Sequence, residues 1–247
     1  MPIFIPVNPP PLEPEPLSLE ATGPDGSLEL RLKERRIEEQ VRLIVQDYKT
    51  GLQLWSNGLI ADAISAFDRL SGNSFITNVQ PPDIESECNA YSKECGGVSM
   101  DRLRSLVFTS SAILRITDDP FLAEALGSPQ IDASTLSNND ATKNDILCTA
   151  LDQLLKATEF ERGDASQHLM IGQCAMLLGQ LDIAISAFGK GLGSDILQSA
   201  VGTHEHTVTS RVLRPRQWWC AQEMVRAALM RGDADLALNI VERIQAC

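Results

Sequence analysis

The chain is 247 residues long, 43% hydrophobic, 22% charged and 5% aromatic, with 21 Lys and Arg against 33 Asp and Glu for a formal charge of −12. That length carries one domain or two small ones and can bury a real core without disulfide staples. The acidic balance speaks against nonspecific attachment to nucleic acid or to an anionic membrane. No run approaches the roughly 18 apolar residues that span a bilayer. Met1-Pro2-Ile3-Phe4-Ile5-Pro6-Val7 lacks the basic start and unbroken apolar stretch of a secretory signal.

The first sixteen residues hold seven of the 13 prolines. Proline has no N–H and a fixed φ, so this stretch predicts a disordered, polyproline-like tail rather than a helix or central strand. The tail is assigned to 1–29 and the folded region to 30–247. The PxxP spacings Pro6/Pro9 and Pro11/Pro14 have the form an SH3-type groove reads, but a solvated tail is the plainer reading. From Arg31 to Asn57, apolar residues at Ile37, Val41, Ile44, Tyr48 and Leu52 recur in steps of three and four and predict a helix. Leu59–Leu70 continues helical after Gly58. Three stretches rich in Ser, Asn, Gly, Pro and acidic residues read as loop insertions, at about 72–99, 117–144 and 193–214, with room for one turn of helix at Phe121–Leu126. Helices are predicted at Met100–Ile116, Asn144–Glu159, Ala165–Leu178, Leu181–Leu192, Trp218–Met230 and Asp233–Gln245. No segment alternates with period two over strand length, so the fold class is all-α.

An internal repeat fixes the architecture more closely. Ala-Ile-Ser-Ala-Phe occurs at Ala63–Phe67 and again at Ala184–Phe188. Gly51 and Gly58 precede the first copy at the same steps as Gly172 and Gly179 precede the second, giving Gly–x6–Gly–x4–Ala–x3–Phe twice. The first Gly admits close approach of two antiparallel helices. The second ends a helix in the left-handed conformation. The Ala is a second close contact, and the Phe fills the space beyond. The pattern resembles the tetratricopeptide repeat, a helix–turn–helix unit of 34 residues. At that period Ala150 and Leu154 precede the second copy, and Gly232 and Ala237 follow it after an insertion. Pro215 stands three residues ahead of Trp218, where such repeats often place a proline before a hairpin. The expectation is a solenoid of about four hairpins: Arg42–Asn57 with Leu59–Leu70, Asp101–Thr117 with Asp145–Thr158, Ala165–Leu178 with Leu181–Leu192, and Trp218–Met230 with Asp233–Ile244. No capping helix follows Ile244, so the sequence reads as the front of a longer solenoid or one whose last face another chain covers.

Chemistry-bearing clusters are weak. The six cysteines (Cys88, Cys95, Cys148, Cys174, Cys220, Cys247) include no CxxC pair, and Cys148, Cys174 and Cys220 fall in apolar helical patterns, as expected of free thiols in a reducing compartment. His204-Glu205-His206, with Cys220 beyond, is the most ligand-like group, but it lies in an insertion and reads as solvated. Gly189-Lys190-Gly191-Leu192-Gly193 lacks the preceding strand and the following Lys-Ser/Thr of a phosphate loop. Glu159/Glu161 and Asp83–Glu87 have no partner placed across a cleft. Lys33, Arg35, Arg36 and Arg211, Arg214, Arg216 are too short as groups for a nucleic-acid footprint. The chain is read as no enzyme, with no cofactor and no metal.

The stretch Ile171–Leu192, resumed at Pro215-Arg-Gln-Trp218-Trp-Cys220, resembles the N-terminal repeats of the cabin family, also called histone transcription regulator three, the scaffold subunit of the HIR/HIRA histone-chaperone complex. Glu38–Phe67 is similar to that family's first repeat, and Leu151-Asp-Gln-Leu-Leu-Lys-Ala-Thr to its second. The resemblance runs from about Glu34 to Cys247; the three insertions depart from it. It implies a nuclear, non-enzymatic scaffold for replication-independent nucleosome assembly and transcription regulation, with other subunits of that complex as partners and histones reached indirectly. The concave positions of the repeat fall on Tyr48, Leu52 and Trp55, on Leu169, Gln173 and Met176, and on Trp219, Gln222 and Arg226, the candidate protein-binding residues. The alternative is a generic adaptor of a cochaperone or trafficking complex. A chaperone-binding carboxylate clamp is disfavoured, because Tyr48 and Leu52 stand where the clamp has Lys and Asn.

Overall fold

The computed structural model describes residues 27–77, 99–127, 141–193 and 213–245, and among these all regular structure is helical. Ten helices follow in order: α1 Ser27–Ser56, α2 Ile60–Ser71, the single turn α3 Ser74–Thr77, α4 Met100–Asp118, α5 Pro120–Gly127, α6 Ala141–Phe160, α7 Ala165–Leu177, α8 Leu181–Leu192, α9 Pro215–Arg231 and α10 Ala234–Gln245. They pair as α1 with α2, α4 with α6, α7 with α8 and α9 with α10, and the hairpins join through α2 against α4, α6 against α7 and α8 against α9. This is the tetratricopeptide type of helix-hairpin array expected from the repeat.

Three of the four hairpins turn in the same way. Gly58, Gly179 and Gly232 have φ of 75°, 71° and 83°, a conformation only glycine reaches without a Cβ penalty. The next residue then bonds back to the helix it leaves. The N–H of Leu59 donates to Leu54 O at 3.0 Å, that of Gln180 to Ala175 O at 2.8 Å, and that of Asp233 to Ala228 O at 2.9 Å. The glycine N–H groups donate to Trp55, Met176 and Leu229 carbonyls at 2.9, 3.0 and 3.0 Å. These bonds satisfy carbonyls that a helix end otherwise leaves open.

Inside the hairpins the small residues sit where the helices cross. Phe67 and Phe188 are both fully buried, as are Ala63, Ala150, Leu154 and Ala184, with Ala237 at 4% exposure. The ring of Phe67 lies against Gly51: a Cβ there would stand 3.0 Å from Phe67 Cε2 and Cζ. The ring of Phe188 lies closer still on Gly172, where a Cβ would stand 2.3 Å from Cε1. The two rings thus hold equivalent places, each burying about 1.5–3 kcal/mol of apolar surface. Tyr48 adds an edge-on contact to Phe67, with ring centroids 5.6 Å apart. Gly191 makes a further close approach, since a Cβ there would meet Cys220 Sγ at 2.6 Å.

The departures from expectation have local causes. The 117–144 region is not all loop: Asp119 caps α5 by accepting from the N–H groups of Phe121 and Leu122 at 2.9 and 3.1 Å, and Pro120 opens it at the position where a missing N–H costs nothing. Helix α6 begins at Ala141, ahead of the predicted Asn144, and α1 begins at Ser27, within the span assigned to the tail. Pro215 is the first residue of α9, not a residue ahead of it. Val241, which follows Ala237 at the step by which Phe67 and Phe188 follow Ala63 and Ala184, is only half-buried, and Trp218 at the opening of the fourth hairpin is 45% exposed. Cys148 is exposed, on the solvent side of α6, while Cys174 and Cys220 are buried; all three are free. The prolines at 2–16, Cys88, Cys95, His204, His206 and Cys247 lie outside the described residues.

Candidate functional site

The first helices of the four hairpins are α1, α4, α7 and α9, and this row carries every candidate binding residue named from the sequence. Side chains tie neighbouring members of the row. Tyr48 Oη and Ser110 Oγ are 3.4 Å apart between α1 and α4, and Gln167 Nε2 donates to Thr109 Oγ1 at 3.2 Å between α7 and α4. At the junction of the last two hairpins, Gln217 Nε2 donates to the Leu192 carbonyl at 3.1 Å while its Oε1 accepts from the Arg214 N–H.

The nine residues expected on this face divide. Tyr48, Leu52 and Trp55 are half-buried, Trp219 and Arg226 likewise, and Gln222 is exposed. Leu169, Gln173 and Met176 are buried, at 3, 5 and 2% exposure. As placed, these three belong to the interior. The reason is the company α7 keeps: it packs against α6, α8 and α9, and α5 lies against it as well, with Leu122 fully buried in the same core. A helix covered on so many sides buries even its ligand-facing positions, and the near-continuous apolar run His168–Leu177 fits that setting. The accessible part of the predicted surface is therefore at the two ends of the row, Tyr48, Leu52 and Trp55 on α1 and Trp219, Gln222 and Arg226 on α9. At the α9 end the Arg216 guanidinium lies 5.0 Å over the Trp219 ring, a cation–π pair that fixes the indole and puts a cation beside it.

Sequence reasoning passed over two charged groups near this face. Glu223 on α9 is 4% exposed, its Oε2 has no hydrogen-bond partner, and the Arg226 Nη1 stands 3.8 Å away. Burial pushes its carboxyl above the ordinary value, with Arg226 opposing. Its place between Met224 and Ala221 in an apolar helix was the available signal. Arg104 on α4, 4% exposed, reaches Asp101 Oδ1 at 3.0 Å and lies 5.3 Å over the Phe160 ring.

Cys220 is a packing residue. Its Sγ is 3.6 Å from the Ala165 carbonyl, and burial pushes its thiol up to about 12; Cys174 behaves alike. A thiol so far from its thiolate form is a poor metal ligand or nucleophile. Among the described residues no group of three or more His, Cys, Asp or Glu is arranged to hold a metal ion, and no helix is long and apolar enough to cross a membrane.

Hairpins turned by left-handed glycines, with Phe on Gly at their crossings and half-exposed aromatics on their first helices, define an all-α helix-hairpin repeat protein of the tetratricopeptide type. No family model matches the chain, and no curated protein matches it. A crystal structure from Podosopora anserina, of kinesin light chain nearly identical TPR-like repeats, is similar to it at 14% identity over 85% of this chain and 95% of that one, with a TM-score of 0.29.

Proposed function

We propose that the chain is a non-enzymatic interaction scaffold that holds partner proteins on the first helices of its hairpins, chiefly through the α1 and α9 ends. The observation that carries this reading is the retention of large aromatic side chains at solvent on these helices: Trp55 on α1 and Trp219 on α9 half-buried, and Trp218, next to Trp219 in sequence, 45% exposed. Aromatics with one wet edge supply much of the energy of protein–protein contacts. The fold does not need Trp218 for its core.

The finer reading, a HIR/HIRA-type histone-chaperone subunit acting in the nucleus in replication-independent nucleosome assembly, rests on the resemblance at Pro215, Trp218 and Cys220. Of these, Pro215 is accounted for as a helix start and Cys220 by its packing on Gly191. Trp218 has no such internal duty, which supports an external one. The test is affinity purification from nuclear extract with wild type and with Trp55→Ala, Trp218→Ala and Trp219→Ala. Recovery of histone-chaperone subunits by wild type, reduced by the tryptophan variants, supports the reading. Recovery of trafficking complexes or heat-shock chaperones instead rejects the histone-chaperone assignment and leaves the generic adaptor.

A further inference from the structure

A cavity of about 610 Å³ opens between the end of α6, the start of α7, α8 and α9. Its polar lining is Arg162, Lys190, His168, Thr158 and Ser186, and its apolar wall includes Met224. Neither Arg162 nor Lys190 makes an ion pair with a carboxylate among the described residues, in a chain whose net charge is −12. His168 is 6% exposed, and its buried Nδ1 has no hydrogen-bond partner. An adjoining cavity of about 250 Å³ shares Thr158, His168, Ser186 and Lys190. The carboxylates nearby are already engaged: Asp182 with Arg231 at 2.7 Å, and Asp164 as the cap of α7, accepting from the Gln167 N–H at 2.8 Å.

We infer that this cavity is a binding site for a phosphorylated serine or threonine of a partner protein. Two cations with no ion pair among the described residues, an imidazole nitrogen without a partner and the Ser186 hydroxyl present more donors than a carboxylate's two oxygens can use; the Thr158 hydroxyl is already given to the Leu155 carbonyl at 2.7 Å. The three terminal oxygens and near-double charge of a phosphomonoester match them. The apolar wall suits a side chain flanking the phosphorylated residue. The scaffold reading makes a protein the carrier of the phosphate, and the locally unpaired cations work against the overall charge of −12 at this one place. Gly189, beside Lys190, also lines the cavity. This inference rests on the scaffold reading, since it supposes a protein ligand.

The experiment sets the whole chain against a degenerate phosphoserine and phosphothreonine peptide library and its unphosphorylated twin. Kd values for selected peptides come from fluorescence anisotropy, and the imidazole C2 proton signals of the three histidines are followed by NMR, with His168→Gln assigning one of them. The expected result is preference for the phosphorylated library, movement of the His168 signal, and loss of about tenfold or more in affinity for each of Arg162→Ala and Lys190→Ala. Both side chains are exposed, so neither change unfolds the protein, and Lys156→Ala, outside the cavity, leaves affinity unaltered. Equal binding of both libraries, or an unmoved His168 signal, overturns the site. So does saturation by inorganic phosphate with no peptide preference, or binding to phosphatidylcholine vesicles carrying phosphoinositide in place of the peptides. If wild type and Lys190→Ala recover the same partners from extract while phosphopeptides show no preference, the site fails and the scaffold stands.

Discussion

Replacing Gly172 by Ala sets two opposed effects against each other. In the interior of α7, Ala is favoured over Gly by about 0.8–1.0 kcal/mol of helix propensity. Against that, the new Cβ would stand 2.3, 2.5 and 2.6 Å from three atoms of the Phe188 ring, where carbon–carbon contact is comfortable at roughly 3.5–4.0 Å. The overlap exceeds 1 Å, and the ring is fully buried with nowhere to retreat. Overpacking of this kind costs about 1–3 kcal/mol or somewhat more, so the net effect is a destabilisation of about 1–2 kcal/mol, or a fall in Tm of about 2–8 °C. Gly51→Ala is the internal control. Its Cβ would meet the Phe67 ring at 3.0 Å, a few tenths of an ångström from tolerable, so strain and propensity nearly cancel and stability stays within about 0.5 kcal/mol of wild type. Urea denaturation followed by far-UV circular dichroism measures both. Phe188→Leu should absorb most of the Gly172→Ala penalty, a coupling of about 1–2 kcal/mol in the double-mutant cycle. If Gly172→Ala proves as stable as wild type, or less harmful than Gly51→Ala, the crossing-point account of these glycines is wrong.

Gly58→Ala, Gly179→Ala and Gly232→Ala meet no atom within 4 Å, so each should cost only the left-handed backbone penalty of about 1–2 kcal/mol, with Asn in the same places costing less; chemical denaturation reads the order. Glu223→Gln should raise stability at pH 7 by about 1 kcal/mol by removing a buried charge. Because the folded-state pKa of Glu223 is raised, the stability tied to its protonation is complete below the ordinary value of 4.5 and is lost as pH rises through the folded value. The gain from Gln must therefore shrink towards zero as pH falls below 4.5, and a pH-independent gain contradicts the assignment. Iodoacetamide at pH 8 should label exposed Cys148 far ahead of Cys174 and Cys220, whose thiols are pushed up to about 12; peptide mass mapping of a timed reaction decides it.

Much of the fold could be read before any coordinates, because close helix crossings demand small residues at fixed steps and leave a visible trace. Gly51, Gly58, Ala63 and Phe67, with their counterparts Gly172, Gly179, Ala184 and Phe188, stand where the repeat spacing puts them. Helix α5 was less legible: Asp119-Pro120 and Gly127 are ordinary start and stop signals, but eight residues are too few for an apolar period to show among the surrounding Ser, Asn and Gly. The sequence reading left room for one turn at Phe121–Leu126 but not for its packing against α7, whose Leu169 and Met176 share a core with Leu122. The cavity between α6, α7 and α8 was illegible for another reason. Arg162, in the turn before α7, His168 on α7 and Lys190 on α8 share no spacing rule; the pairing of α7 with α8 beside the end of α6 brings them together.

Since helices touch chiefly members of their own hairpin or the adjoining one, tension applied between the two ends has no shortcut through the molecule. It must pass along the array one module at a time, and the modules differ inside: Phe188 sits tight on Gly172 in the third hairpin, whereas the fourth carries half-buried Val241 where the first and third carry Phe. Stretched as a tether, such a chain yields by successive release of modules, weakest first, and re-forms each on slackening.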